Sequence, residues 1–285
     1  MTLRSKLSLG TVQFGLDYGV TNKNGQVTIS QARDILDCAK QNNIKTLDTA
    51  SLYGNSEKVL GGIGVDDYQI ITKTTFLKDD VDEVINNFYK SLENLNRTQV
   101  EGLLIHNIKD IENKQFEALF EKLNALKESN LVKKIGFSTY TPEQVVFLLA
   151  NFDFDLIQVP FNVFDTRLVD NGLLRELKDK GVEIHVRSVF LQGLLLDFDS
   201  LGDYFSSWED KFEDYQKMVK DSGFSLLEYA LNFVLNIEEI DKVLVGVNNN
   251  KQLIEIVEAS QKIVDNSLLP FSINDINLLN PSLWK

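Results

Sequence analysis

Only one cysteine, two histidines and no long apolar run occur in these 285 residues. A single thiol, Cys38, excludes an intramolecular disulfide, and its place in QARDILDCAKQ predicts a buried structural residue on a helix. Two histidines, His106 and His185, are too few for the ligand clusters of metal-dependent hydrolases. Neither H-x-H nor H-E-x-x-H occurs, so no metal site is expected. No run approaches the roughly 20 apolar residues of a membrane span, and MTLRSKLSLG lacks the apolar stretch of a signal peptide. The expectation is a soluble, cytoplasmic protein with no membrane partner. Basic residues are also scarce: 29 Lys and Arg against 42 Asp and Glu leave a formal net charge of −13. That field disfavours nucleic acid, and an anionic ligand needs a local pocket with its own donors.

A G-x-G-x-x-G turn is missing as well, which argues against a doubly wound dinucleotide-binding sheet. Present instead is a repeated theme of a short β-branched run ending in a polar residue, followed by an amphipathic stretch. The runs are IKTLD (44–48), YQIITK (68–73), VEGLLIH (100–106), VKKIGFS (132–138), FDLIQ (154–158), VEIHVRS (182–188) and DKVLVG (241–246). They read as buried parallel strands. Helical spacing fills the intervals, with Ser30 expected to cap one helix and Thr141-Pro142-x-Gln144 to open another as a capping box. With a first strand near LSLGTVQFG (7–15) the count reaches eight. The expectation is an α/β chain folded as a (β/α)8 TIM barrel, one domain over 1–285. The one long non-repeating stretch, 187–223, is read as a functional loop.

In such a barrel the active site gathers at the C-terminal strand ends. The polar terminators are Asp48, Lys73, His106, Ser138, Gln158 and Arg187 with Ser188. Singly, each is more often a cap or a satisfied core group; together they bring an acid, an amine, an imidazole and amide-binding groups to one face. Tyr53 lies a few residues beyond Asp48. A phenol near pKa 10 becomes a usable proton donor if an ammonium lowers that value. Lys73 is expected to do this while Asp48 holds it in place.

LDTASLYGNSEKVLG, IITKT, LLIHN, KKIGFSTY, LIQVPFN and GVNNNKQLIEI, in this order, resemble the aldo-keto reductase superfamily over nearly the whole chain. The resemblance implies NAD(P)H-dependent reduction of a small-molecule carbonyl. It implies Tyr53 as general acid, Asp48 and Lys73 as the pair that tunes it, and His106 as the group that orients the carbonyl. Ser138, Thr139 and Gln158 correspond to contacts of the nicotinamide carboxamide. Arg187 stands where many members stack a tyrosine on the nicotinamide. Ser188, Gln192 and Gly193 correspond to the pyrophosphate loop. Gly246, Asn248, Lys251, Gln252 and Glu255 correspond to the adenosine end. Asn248 departs from an arginine common in NADPH-preferring members, Ile256 from a common asparagine, and Thr139 from an asparagine. The implied cofactor is NADPH, with NADH admitted because Lys251 is the only cation beside Asn248.

The opening GTVQFGLDYGVTNKNG resembles bacterial members associated with surface-polysaccharide and nucleotide-sugar pathways, which implies a keto-sugar or sugar-nucleotide substrate with Arg167 and Arg187 as phosphate partners. The substrate pocket is expected from Phe14 to Gln26, the segment around Tyr53, the loop after Phe161 and 187–223. Trp284 is expected to pack on the barrel. The rival reading is a cofactor-binding redox sensor or regulatory subunit with little turnover. Oligomeric state is not legible in the sequence.

Overall fold

The β-branched runs form eight short strands: β1 Leu7–Gly10, β2 Thr46–Asp48, β3 Gln69–Lys73, β4 Val100–Ile105, β5 Val132–Ser138, β6 Leu156–Pro160, β7 Glu183–Arg187 and β8 Lys242–Gly246. All pair in parallel with their sequence neighbours, and β8 returns to β1 with Leu7 opposite Val243, closing the barrel. The computed structural model describes residues 3–20, 22, 24–78, 80–199, 201–262 and 268–284. Residues 21 and 23 of the predicted pocket segment 14–26, and residue 200 of the stretch 187–223, lie outside the described residues.

The α-helices are α1 Val12–Gly15, α2 Ile29–Gln41, α3 Ser56–Ile63, α4 Val81–Leu95, α5 Phe116–Glu128, α6 Pro142–Asn151, α7 Arg167–Asp170, α8 Leu173–Asp179, α9 Glu209–Asp221, α10 Leu226–Leu235, α11 Asn250–Ala259 and α12 Ile276–Leu279. Thr141 and Gln144 form the predicted capping box of α6, with Pro142 in its first turn. Ser30, however, is not the cap of α2. Thr28 takes that role and shares a capping box with Gln31. Both hydroxyl residues precede the apolar stripe, but only Thr28 has a glutamine three residues on.

Helix faces such as Val84, Phe88, Leu92 and Leu95 of α4 pack outward-facing strand residues into the main core. Inside the barrel Ile71, Leu104 and Leu156 form a separate buried cluster. Two glycines make room for it. A Cβ on Gly102 would lie 2.8 Å from Ile71 Cδ1, and one on Gly136 would lie 1.7 Å from the Leu156 carbonyl oxygen. His185 is fully buried in β7 with Nε2 2.7 Å from Glu183 Oε1, a core role.

The stretch 187–223 is not an open loop. It contains two 3-10 turns, Leu191–Leu196 and Asp203–Trp208, and then the 13 residues of α9. Phe212, Tyr215 and Val219 bury one face of α9, a spacing of three, then four, hidden among its many charges. Cys38 is buried on α2, as expected. Trp284 packs edge-on against Phe205 at 4.9 Å. No described helix is long and apolar enough to cross a membrane.

Candidate active site

The closed barrel carries the predicted polar residues to one rim. Asp48 ends β2, Lys73 ends β3, Ser138 ends β5, Arg187 ends β7, and His106 directly follows β4. Asp48 and Lys73 form a buried ion pair at 2.5 Å, with side chains 4% and 1% exposed. The ammonium also donates to the Thr49 carbonyl at 2.9 Å. Gln158 Nε2 donates to the second Asp48 oxygen at 2.7 Å. Each carboxylate oxygen thus has a donor, which a buried charge requires.

Tyr53 sits in the turn before α3. Its amide donates to Ala50 O and its carbonyl accepts from Ser56 N, both at 3.0 Å. Two glycines press this turn against α1. A Cβ on Gly15 would fall 1.7 Å from the Tyr53 carbonyl oxygen, and one on Gly54 would fall 2.3 Å from that of Gly15. Gly54 also takes φ +56, where a side chain is disfavoured. Ser56 Oγ ties the turn to β1 through Thr11 O at 2.8 Å. So held, the phenol ring lies 5.0 Å from Lys73 Nζ and meets the His106 ring edge-on at 5.7 Å.

Burial sets the protonation states. It pushes the Tyr53 phenol above its ordinary value; Asp48 adds to this, and the pull of Lys73 and Arg187 does not cancel it. Lys73 pulls the phenol down, as expected, but desolvation outweighs the ammonium, and Tyr53 keeps its proton. Burial would lower Lys73, but the Asp48 carboxylate, aided by Tyr53, holds it above its usual value as an ammonium. His106 is pushed down to about 3 by burial, with Lys73 and Arg187 adding to the effect, and is a neutral imidazole. Its Nδ1 is buried without a hydrogen-bond partner.

A cavity of about 310 Å³ opens beside this group, within the range of small-ligand sites. Asp48, Tyr53, Gln158, Arg187, Ser188, Gln192, Gly193, Gly246, Asn248, Gln252 and Glu255 line it, as does Ile256. Lys73 and His106 stand behind, against Tyr53. Ser138 and Thr139 are buried outside its lining, and Thr139 Oγ1 has no partner. Lys251 also lies outside the lining, 85% exposed and 3.9 Å from Glu255. The Asn248 amide donates to Gln252 Oε1 at 2.8 Å, and Asn249 caps α11. Ser188, Leu191 and Gln192 take positive φ, a backbone cost of about 1–2 kcal/mol each; the cavity wall is a strained loop.

Two expectations change. The loop after Phe161 packs inward and does not line this cavity: Phe161, Val163 and Phe164 are fully buried. Arg167 is spent on Asp165, with Nε and Nη2 at 2.7 and 2.8 Å from its two oxygens, and does not reach the cavity. Sequence reading missed Thr11 and Gln13 next to β1, Leu227 of α10 and Leu244 of β8, all of which line the cavity. Gln13 sits inside the apolar VQFG run, and only the contact of its side chain with Gly246 marks it. Among the described residues no three His, Cys, Asp or Glu side chains gather as metal ligands.

Comparison with known proteins fits this geometry. The Aldo/keto reductase family matches residues 6–268. Oxidoreductase sirO of Leptosphaeria maculans is 28% identical over 204 residues, 67% of this chain and 61% of that protein. L-galactose dehydrogenase of Arabidopsis thaliana is 28% identical over 236 residues, 76% and 73% of the two chains. Glyoxal reductase of Bacillus subtilis (strain 168) is 26% identical over 182 residues, 60% and 63%. For sirO and glyoxal reductase the matched region is less than two thirds of the relative's length. Among solved structures, the holo form of an aldo-keto reductase from Bacillus halodurans superposes with a TM-score of 0.73 at 20% identity, covering 92% of this chain and 88% of that one. Glycerol dehydrogenase from Gluconobacter oxydans gives 0.72 at 17%, with the same coverage. These structures speak to the fold. The family match spans nearly the whole chain and includes every strand of the barrel, and the chain belongs to the aldo/keto reductase family.

Proposed function

We propose that this chain is a reductase of one barrel domain over 1–285, which converts a small-molecule carbonyl to an alcohol with a nicotinamide dinucleotide. The observation that carries this reading is the protonated Tyr53 phenol beside the buried Lys73–Asp48 pair, at the edge of a cavity of dinucleotide-compatible lining.

The lining fits such a group chemically. Gln13 Oε1 and Asn248 Oδ1 are buried acceptors without partners on cavity-lining residues. By family correspondence, Gln158, Ser138 and Thr139 would hold the carboxamide. Ser188, Gln192 and Gly193 would hold the pyrophosphate, and Gly246, Asn248, Gln252 and Glu255 the adenosine. Arg187 would lay its guanidinium face on the nicotinamide ring. When bound, the dinucleotide supplies the hydride. Tyr53 then donates its phenolic proton to the substrate oxygen. Neutral His106 offers a ring nitrogen to the same oxygen, and Lys73 stabilises the charge left on Tyr53. Asp48 keeps Lys73 in place.

NADPH is assigned on the family correspondence, with Lys251 the one cation α11 offers toward a ribose 2′-phosphate. A specific observation favours NADH as the second reading: Glu255 lines the cavity and Lys251 does not. A keto-sugar or sugar nucleotide is the proposed substrate, from the likeness of the chain's opening to nucleotide-sugar-associated relatives. The test is a titration with NADPH and NADH that follows nicotinamide fluorescence, since neither Trp208 nor Trp284 lines the cavity. It is followed by a panel of aldehydes, ketones and keto-sugars. Binding with turnover supports the reductase; binding with no turnover across the panel supports the redox-sensor alternative; no binding overturns both.

A further inference from the structure

We infer that Arg187 recognises an anionic group on the substrate, so that the preferred carbonyl compound carries a carboxylate or a phosphate. The inference rests on the reductase reading above. Arg187 ends β7, lines the cavity, and is half-buried. Its guanidinium lies over the Tyr140 ring at 4.3 Å, donates from Nη2 to Thr139 O at 2.9 Å and reaches Ser188 Oγ from Nη1 at 3.3 Å. Among the described residues two of its five N–H donors find partners, and three do not. Among the described residues no carboxylate pairs with it, although the chain carries 42 acidic residues.

A half-buried cation without a counter-ion is costly. Arg167, by contrast, is fully matched to Asp165. Lys73, the other cation of this rim, is neutralised by Asp48. Among the described residues lining the cavity, Arg187 is thus the remaining cation without a carboxylate partner. It lies close enough to His106, Tyr53 and Tyr18 to act on all three, which places it at the end of the cavity where the carbonyl is reduced. Stacking on a nicotinamide uses the face of the guanidinium; an anion takes the free N–H edge in a bidentate pair. The two uses are compatible.

The test is steady-state kinetics on matched substrate pairs: 4-carboxybenzaldehyde against methyl 4-formylbenzoate, and glyceraldehyde 3-phosphate against glyceraldehyde. In the unmodified protein one anionic member is expected to exceed its neutral partner in kcat/KM by about tenfold or more, the worth of one charge-assisted pair. Which pair responds tells carboxylate from phosphate. Arg187→Gln brings that ratio toward one, while Arg187→Lys, which keeps a point charge, retains part of it and serves if the glutamine variant does not fold. Both members of a pair use the same cofactor, so a cofactor defect cancels in the ratio. A preference for the neutral members, a ratio unchanged in both variants, or a loss of cofactor affinity with the ratio intact overturns the inference. Turnover of neutral carbonyls alone sinks this inference and leaves the reductase reading standing; absence of both nicotinamide binding and turnover sinks both.

Discussion

Gly15→Ala puts one methyl group between two backbone segments and asks whether their contact positions Tyr53. The new Cβ would lie 1.7 Å from the Tyr53 carbonyl oxygen, 2.8 Å from its carbonyl carbon and 2.6 Å from Ser56 N, while real Cβ atoms stay beyond 3.0 Å. All three neighbours are backbone, so no rotamer change relieves the clash. The Tyr53 turn or α1 must move by more than an ångström. A misplacement of about 1 Å costs on the order of a hundredfold in rate, and overpacking costs about 1–3 kcal/mol of stability. The expected result is a kcat/KM for carbonyl reduction lower by about two orders of magnitude, in a protein that still melts cooperatively. Dissociation constants for NADPH are measured in parallel, because a moved α1 also carries Gln13. If the folded variant stays within about threefold of the parent, less than 1 kcal/mol in the barrier, the glycine contact does not set the position of Tyr53.

Tyr53→Phe removes the proton and little volume, so cofactor binding persists in a fluorescence titration while turnover drops by about 10²-fold or more. Lys73→Met leaves Asp48 buried with Gln158 as its remaining side-chain donor and lowers stability in urea by about 3–5 kcal/mol. With His106 pushed down to about 3, kcat/KM carries no break from this residue between about pH 5 and 8. The unfolded chain protonates His106 near pH 6.5 and the folded chain near 3. Its effect is therefore to reduce stability as pH falls from about 6.5 toward 3, and it vanishes above that window. Urea melts at pH 5 and 7 check this, and His106→Gln narrows their difference. Glu255→Gln removes the α11 carboxylate that lines the cavity and moves the NADPH-to-NADH affinity ratio toward NADPH. An unchanged ratio removes Glu255 from the adenosine end.

Local chemistry made much of this protein legible in one dimension. Short β-branched runs each end in a polar residue because the strand is buried on both faces and its end meets the rim. The period of the pattern gave the number of strands, and the order of Asp48, Tyr53, Lys73 and His106 pointed to the rim's chemistry. The cap at Thr28 and the helix at Glu209–Asp221 were also written there, in a glutamine three residues on and in three buried positions on one face, but under competing signals. What folding alone decided depends on distance between segments far apart in sequence. Whether Tyr53 holds or releases its proton is a contest between burial and the Lys73 charge, and burial is a property of the whole barrel. Arg167 and Arg187 are the same residue type, but Arg167 has Asp165 two residues before it. The ion pair of Arg167 is thus local, whereas only the tertiary structure turns Arg187 to the cavity with no carboxylate partner among the described residues.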